Sequence, residues 1–143
     1  MRIVIDASVA LKWFFRSRDD EENVEQAMQI LKEIGSGRLD MLQPPHFLAE
    51  MGALLAREKP DSAQTDLSDL MAIDSELFED PAVYATAVEL ACRMQHHLFD
   101  TLYHATALHV PDVMLVTADG RYFRKAKQFG SICLLADFRL KAE

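Results

Sequence analysis

Continuous apolar runs alternate with amphipathic stretches along this chain. Ile3, Val4 and Ile5 form one run and Val113, Met114, Leu115 and Val116 another, without the polar alternation of a half-exposed strand. Such runs predict strands buried on both faces of a parallel sheet. After the first run, Leu11, Trp13, Phe14 and Phe15 predict a short helix capped by Ser8, and at least two of the three aromatics belong in the core. A polar turn over 16–22 leads to a helix over 23–34, where Val24, Ala27, Met28, Ile30, Leu31 and Ile34 share one face and glycines follow. A strand over 40–43 is stopped by Pro44 and Pro45, and the next helix carries Phe47, Leu48, Met51, Leu54 and Leu55 with Glu50 near its start. Pro60 and Asp61 break the pattern before a helix over 63–72, and 75–79 reads as a strand. Pro81 opens a helix to about residue 95, 96–99 forms a loop, and Asp100 heads a helix through Leu108. The second apolar run gives a strand over 113–117, a basic helix follows to near Gly130, and 132–135 is the last strand. Strand and helix signals alternate, which predicts an α/β fold of parallel βα units.

The chain has 143 residues with no repeat, linker or low-complexity segment, and reads as a single domain over 1–143. Half of its residues are hydrophobic and about a quarter charged, as in ordinary globular proteins. No secretory signal is read at the start, and no apolar run approaches the roughly 20 residues that span a bilayer. The expectation is a cytoplasmic protein without a membrane partner, with Cys92 and Cys133 as buried free thiols and Met28, Met41, Met51, Met71, Met94 and Met114 as core filling. The net charge of −8 argues against a protein that simply coats nucleic acid. The charge is uneven, however. Residues 1–18 hold four basic and one acidic residue, and 110–143 hold six basic and four acidic, so the acidity is concentrated in the middle. The two ends leave room for a local positive rim.

Four carboxylates carry the candidate chemistry. Asp6 and Asp119 follow the two apolar runs, where a parallel strand opens onto the crevice that binds ligands in open α/β sheets. Glu50 and Asp100 sit at the starts of helices. Taken singly, each has an ordinary reading, as a helix cap for an Asp or a solvated first-turn residue for Glu50. Brought together, they repel one another unless a cation or shared protons offset their charge. Oxygen ligands of this kind suit Mg²⁺ or Mn²⁺, which supports hydrolysis at a phosphodiester. Ser8 and Thr117 each lie two residues from an outer carboxylate, where a hydroxyl can orient it. Arg121, Arg124 and Lys125 follow Asp119 on the basic helix and can track an RNA backbone, although a solvated face is the plain alternative. The histidines form no zinc-like set; His104 lies one turn after Asp100, where a local hydrogen bond suffices.

Several short segments resemble PIN-domain ribonucleases, in particular the VapC-type toxins. Val4-Ile5-Asp6-Ala7-Ser8-Val9-Ala10-Leu11-Lys12-Trp13-Phe14 is similar to the start of that family. Pro45-His46-Phe47-Leu48-Ala49-Glu50 resembles its second acidic motif, Phe99-Asp100-Thr101-Leu102-Tyr103-His104-Ala105-Thr106-Ala107 its third, and Val116-Thr117-Ala118-Asp119-Gly120-Arg121-Tyr122-Phe123 its fourth. The resemblance implies a three-layer fold with a central parallel sheet of four to five short strands and helices on both faces. It implies a metal-dependent endoribonuclease, the toxin of a toxin–antitoxin pair, with Asp6, Glu50, Asp100 and Asp119 as catalytic Mg²⁺ or Mn²⁺ ligands and Ser8 and Thr117 in support. Its implied partners are an RNA substrate, a VapB-like antitoxin whose tail enters the site, and a second copy in a homodimer. Two positions depart from the pattern: Ala53 stands where Asn is usual, and Thr101 where Ala is. The competing reading is a catalytically inactive PIN-like module that acts by protein or RNA association. A phosphotransfer enzyme or receiver is disfavoured, since Ser8 stands where haloacid-type phosphatases need Asp and no acidic pair precedes Asp6.

Overall fold

The computed structural model describes residues 1–16 and 22–140. The turn expected over 16–22 therefore falls mainly outside the described residues. The sheet has five strands: β1 Arg2–Ile5, β2 Asp40–Gln43, β3 Ser75–Leu77, β4 Val113–Thr117 and β5 Ile132–Leu134. Their order is β3-β2-β1-β4-β5, and every neighbouring pair is parallel. The central place of β1 accounts for its uninterrupted apolar run: Ile3, Val4 and Ile5 are fully buried, as a strand covered on both faces requires. By contrast β3, the polar edge strand, is exposed throughout.

Seven α-helices connect the strands among the described residues. α1 Ala7–Phe14 and α2 Val24–Gly35 join β1 to β2, and α3 Phe47–Glu58 and α4 Ala63–Met71 join β2 to β3. α5 Pro81–Met94 and α6 Leu98–Leu108 carry the chain back past β1 to β4, and α7 Gly120–Ala126 leads to β5. Parallel crossovers are right-handed, so reversing the direction of travel along the sheet moves the helices to the other face. The first four helices cover one face and the last three the other. The reversal falls between β1 and β4, which makes the gap beyond their carboxyl ends the topological switch point.

One core packs both faces of β1 and β4, with Ile30, Met51 and Leu70 on one side and Tyr103 on the other. Trp13 and Phe15 are buried and Phe14 half-buried; the Trp13 indole donates to the Ala27 carbonyl at 2.8 Å, tying α1 to α2. A smaller cluster of Val83, Ala87, Leu102 and Ala105 holds α5 to α6, and the Thr101 hydroxyl donates to the Ala87 carbonyl at 2.8 Å. Thr101 is therefore a helix–helix tie.

Several local expectations change. Ser8 does not cap α1: Asp6 holds the cap position, and Ser8 lies inside the helix with its hydroxyl turned back to Asp6. α6 begins at Leu98 rather than Asp100, so Asp100 projects from its first turn. The basic helix shortens to α7 plus a 3-10 turn, Lys127–Phe129, because Gly130 takes a φ of 78° and ends it. Met71 is 57% exposed and so is not core filling, and the two free thiols are not buried as expected: Cys92 is exposed and Cys133 only half-buried.

Candidate active site

The switch point is built by the register of β1 and β4. Ile5 pairs with Val116, so Asp6 and Thr117 leave the sheet side by side. Gln43, fully buried at the end of β2, adds a lock. β2 pairs with β1 at Arg2–Asp40 and Ile3–Met41 and no further, and beyond that point the Gln43 amide replaces the missing ladder. Its Oε1 accepts from the Ile5 N–H at 3.0 Å and its Nε2 donates to the Ile5 carbonyl at 2.9 Å. The residue before Asp6 is thereby fixed on both of its backbone groups.

Asp6 is almost fully buried, and each carboxylate oxygen receives a hydroxyl: Ser8 donates to Oδ1 and Thr117 to Oδ2. Those hydroxyls are themselves held from the β4–α7 turn. The Ala118 N–H donates to Ser8 Oγ at 2.9 Å, and the Asp119 N–H donates to Thr117 Oγ1 at 3.1 Å. Asp119 also caps α7, accepting from the Tyr122 N–H at 3.0 Å. Burial pushes the Asp6 carboxyl up to about 6; the two hydroxyls oppose the rise and the nearby charge of Asp100 adds to it.

Glu50 projects from the first turn of α3 and is also raised, by burial and then by Asp100, while a hydrogen bond from the Tyr103 hydroxyl at 3.2 Å opposes the rise. Tyr103 and Tyr122 record how the four carboxylates gather. Both phenols are buried and held far above their ordinary range. Tyr103 feels the charges of Glu50, Asp6 and Asp100, and Tyr122 those of Asp100, Asp6 and Asp119. Asp100 is anchored from the loop before α6: His96 Nε2 lies 2.6 Å from its Oδ2, and the Lys125 ammonium donates to His96 Nδ1 at 3.3 Å. With Nδ1 accepting from Lys125, the ring proton sits on Nε2, which donates it to Asp100 Oδ2.

The structure thus brings Asp6, Ser8, Thr117 and Asp119 into one hydrogen-bonded network, with Glu50 and Asp100 within electrostatic reach. Lys125 joins through His96, while Arg121 and Arg124 are exposed on α7. His104 does not bond Asp100; it joins the Tyr122 hydroxyl at 3.0 Å and the Gly130 carbonyl at 2.7 Å. Gln43, His96, Tyr103 and Tyr122 were not singled out from the sequence as site residues. Position gave some signal for three of them: His96 stands four residues before Asp100, and Tyr103 and Tyr122 three after an acidic residue. Gln43 gave one as the polar residue that closes β2 directly after Met41 and Leu42.

Among the described residues, no group of three or more His, Cys, Asp and Glu side chains stands arranged to hold a metal ion. The donor set is an open one of carboxylates and hydroxyls. Mg²⁺ accommodates such a set by keeping several waters, whereas structural zinc closes its coordination with protein ligands. Asp6 and Glu50, both raised by burial and by the charge of Asp100, are groups a divalent cation relieves, so the chemistry of the donor set fits one.

Fold and site together define a parallel α/β protein with a carboxylate-lined crevice at its switch point. The sequence profile of the PIN domain matches residues 3–128, and the chain belongs to the PIN domain family. No curated protein matches it in sequence. Among solved structures it is similar to VapBC2 from Rickettsia felis bound to a DNA fragment from their promoter, with a TM-score of 0.64 at 14% identity, covering 94% of this chain and 97% of that one. It is also similar to PAE2754 from Pyrobaculum aerophilum, with a TM-score of 0.63 at 20% identity, covering 95% of this chain and 93% of that one. At such identities the likeness concerns the fold. No helix among the described residues is long and apolar enough to cross a membrane.

Proposed function

We propose that this protein is a metal-dependent endoribonuclease that cleaves RNA phosphodiester bonds as the VapC-type toxin of a toxin–antitoxin pair. The observation that carries the reading is the buried Asp6 carboxylate, clamped by Ser8 and Thr117 at the switch point of a PIN-family sheet and facing the charge of Asp100. Asp6, Glu50, Asp100 and Asp119 hold Mg²⁺ or Mn²⁺, and Ser8 and Thr117 orient Asp6. When bound, the cation supplies acidity for an attacking water and offsets charge on the phosphodiester. The chain's own residues do the positioning. The hydroxyl pair keeps both Asp6 oxygens in place, His96 holds Asp100, and the Tyr103 hydroxyl holds Glu50. Arg121, Arg124 and Lys125 lie along α7 on the Asp119 side, where cations meet the phosphates that flank the scissile bond.

The same reading makes residues 1–143 one catalytic domain, working in the cytoplasm as a homodimer and restrained by a VapB-like antitoxin. The fold likeness to a VapBC complex supports that partner. The test is cleavage of a mixed RNA pool by purified protein with Mg²⁺ or Mn²⁺, with chelator and with the Asp6→Asn and Asp100→Asn variants. Cleavage should require the cation and vanish in both variants. Cleavage that persists in both, or a wild type that cuts no RNA with either cation, rejects the nuclease and leaves an association module.

A further inference from the structure

His104 stands on α6 one turn after Asp100, so the two side chains leave the same side of that helix. It is fully buried, at a place where a leucine would pack with no polar group to satisfy. Both of its ring nitrogens are committed instead, and to the two ends of one segment. Nε2 donates to the Gly130 carbonyl at 2.7 Å, which leaves Nδ1 to accept from the Tyr122 hydroxyl at 3.0 Å. Burial lowers the His104 pKa and raises that of Tyr122, so the accepting ring is neutral and the donating hydroxyl keeps its proton. Tyr122 lies in the first turn of α7, and Gly130, with a φ of 78°, ends the 3-10 turn that follows that helix. One side chain of α6 therefore grips the segment between β4 and β5 where it starts and where it ends.

Tyr122 connects that grip to the carboxylates. Its N–H belongs to the first turn of α7, where the helix has no carbonyl four residues back to accept it, and it donates to Asp119 Oδ1 at 3.0 Å. Its ring stands between two histidines. The His96 ring, which holds Asp100, lies 4.9 Å away centroid to centroid, and the His104 ring lies 5.9 Å away edge-on. Tyr122 thus supports Asp119 with its backbone and meets the holder of Asp100 with its ring. We propose that His104 is a positioning residue of the nuclease site, which acts through Tyr122 to set the placement of Asp119 against Asp100. The part of this inference that concerns a cation rests on the nuclease reading; the part that concerns the Tyr122–Asp119 bond does not. The plain alternative is a histidine that serves the core alone. Satisfied polar networks specify one arrangement where hydrocarbon contacts tolerate several. Two elements that each bring a carboxylate to one ion need that specification, because the outer partners orient the groups that touch the metal.

The test measures Mn²⁺ binding to the full chain by calorimetry, without RNA. His104→Leu removes both bonds and should bind Mn²⁺ about ten-fold more weakly, in line with losing an outer partner at a metal site. Tyr122→Phe removes one hydroxyl and keeps the ring, so it should weaken binding in the same direction and serves where His104→Leu does not fold. His104→Asn, whose carbonyl oxygen stands in for Nδ1, should recover most of the affinity. In an Asp119→Asn background, which keeps the helix cap, His104→Leu or Tyr122→Phe should cost nothing further, because the carboxylate being positioned is gone. Wild-type affinity in the folded single variants, or the same loss with and without the Asp119 carboxylate, overturns the proposal. Amide hydrogen exchange reads the geometry with no cation present. The Tyr122 N–H, protected by Asp119 rather than by a helical carbonyl, should exchange faster in His104→Leu and Tyr122→Phe while the β1 amides keep their wild-type rates. An unchanged Tyr122 rate overturns the brace. A wild type that binds no Mn²⁺ rejects the metal reading instead, and the exchange rates then decide the brace on their own.

Discussion

Replacing Asp6 by Asn should make the metal-free protein more stable above pH 6 and remove a pH dependence that wild type carries. Burial lifts the Asp6 carboxyl from its ordinary 3.8 to about 6. At ~1.36 kcal/mol per pH unit, that displacement corresponds to about 3 kcal/mol. The sign follows from proton binding. Between pH 3.8 and about 6 the native protein keeps the Asp6 proton that the unfolded chain has already released. Native stability therefore falls as pH rises through this window, and the loss persists at higher pH. Asn cannot accept from both Ser8 and Thr117, since one of its atoms is a donor, and the mismatch costs about 1 kcal/mol at every pH. That cost shifts the curve without changing its slope. Urea unfolding of both proteins in chelator, from pH 4 to pH 8, reads the difference directly. Asp6→Asn should gain about 3 kcal/mol on wild type across the range and end about 2 kcal/mol the more stable. Adding Mg²⁺ at pH 7 should then stabilise wild type and leave the variant little changed. A stability difference that stays flat with pH, within about 1 kcal/mol, would refute burial of an ionising Asp6 as the origin of the effect.

Thr117→Val keeps the shape of the side chain but leaves Asp6 Oδ2 and the Asp119 N–H without their partner; stability should fall by about 1–3 kcal/mol and RNA cleavage by at least about ten-fold, read by urea titration and single-turnover assay. Gln43→Leu strips the Ile5 N–H and carbonyl of their only side-chain partner in a fully buried setting, and urea unfolding should show a loss of about 2–4 kcal/mol, with a loss below about 1 kcal/mol arguing against the lock. Gln95 ends α5 with a φ of 51°, so Gln95→Gly should raise stability by about 1 kcal/mol in the same assay.

The strands and helices were readable because burial leaves a periodic trace. β1 is apolar at consecutive positions since both of its faces are covered, and α2 shows its apolar stripe since only one face is. β2 was placed at its observed bounds because Pro44 and Pro45 cannot continue a ladder. The start of α6 was misplaced for an equally physical reason: its cap is His97, with no side-chain capping bond, so the chain carries no Ser, Thr or Asp signal there. Ser8 misled in the opposite sense. It has the chemistry of a cap but spends its hydroxyl on Asp6, a contact set by the tertiary fold. Contacts across the sheet were beyond reach for the same reason. Nothing local says that Gln43 will bond Ile5, thirty-eight residues away, or that Tyr122 will meet both His104 and the field of Asp6. The four carboxylates stood out only as positions at element edges, and the parallel order of β1 and β4 is what draws two of them together.

The hydrogen-bond directions around Asp6 bear on which charge state the site is built for. Ser8 and Thr117 each accept a backbone N–H from the β4–α7 turn, which leaves each hydroxyl proton free to point at Asp6. Two donors facing two oxygens suit an ionised carboxylate; a protonated one would set its own proton against one of them. Yet burial favours the protonated form, and Asp100 reinforces that preference. Polar geometry and solvation therefore pull in opposite directions at one residue. A fold selected for stability alone would resolve the conflict with a neutral side chain there, as the Asp6→Asn prediction states. The conflict resolves equally when positive charge enters the crevice, because a cation lowers the energy of the ionised form that the hydroxyls already favour. On the proposed reading the buried carboxylate, destabilising in the free protein, serves as half of a cation site, and the hydroxyls that clamp it need no rearrangement when an ion arrives.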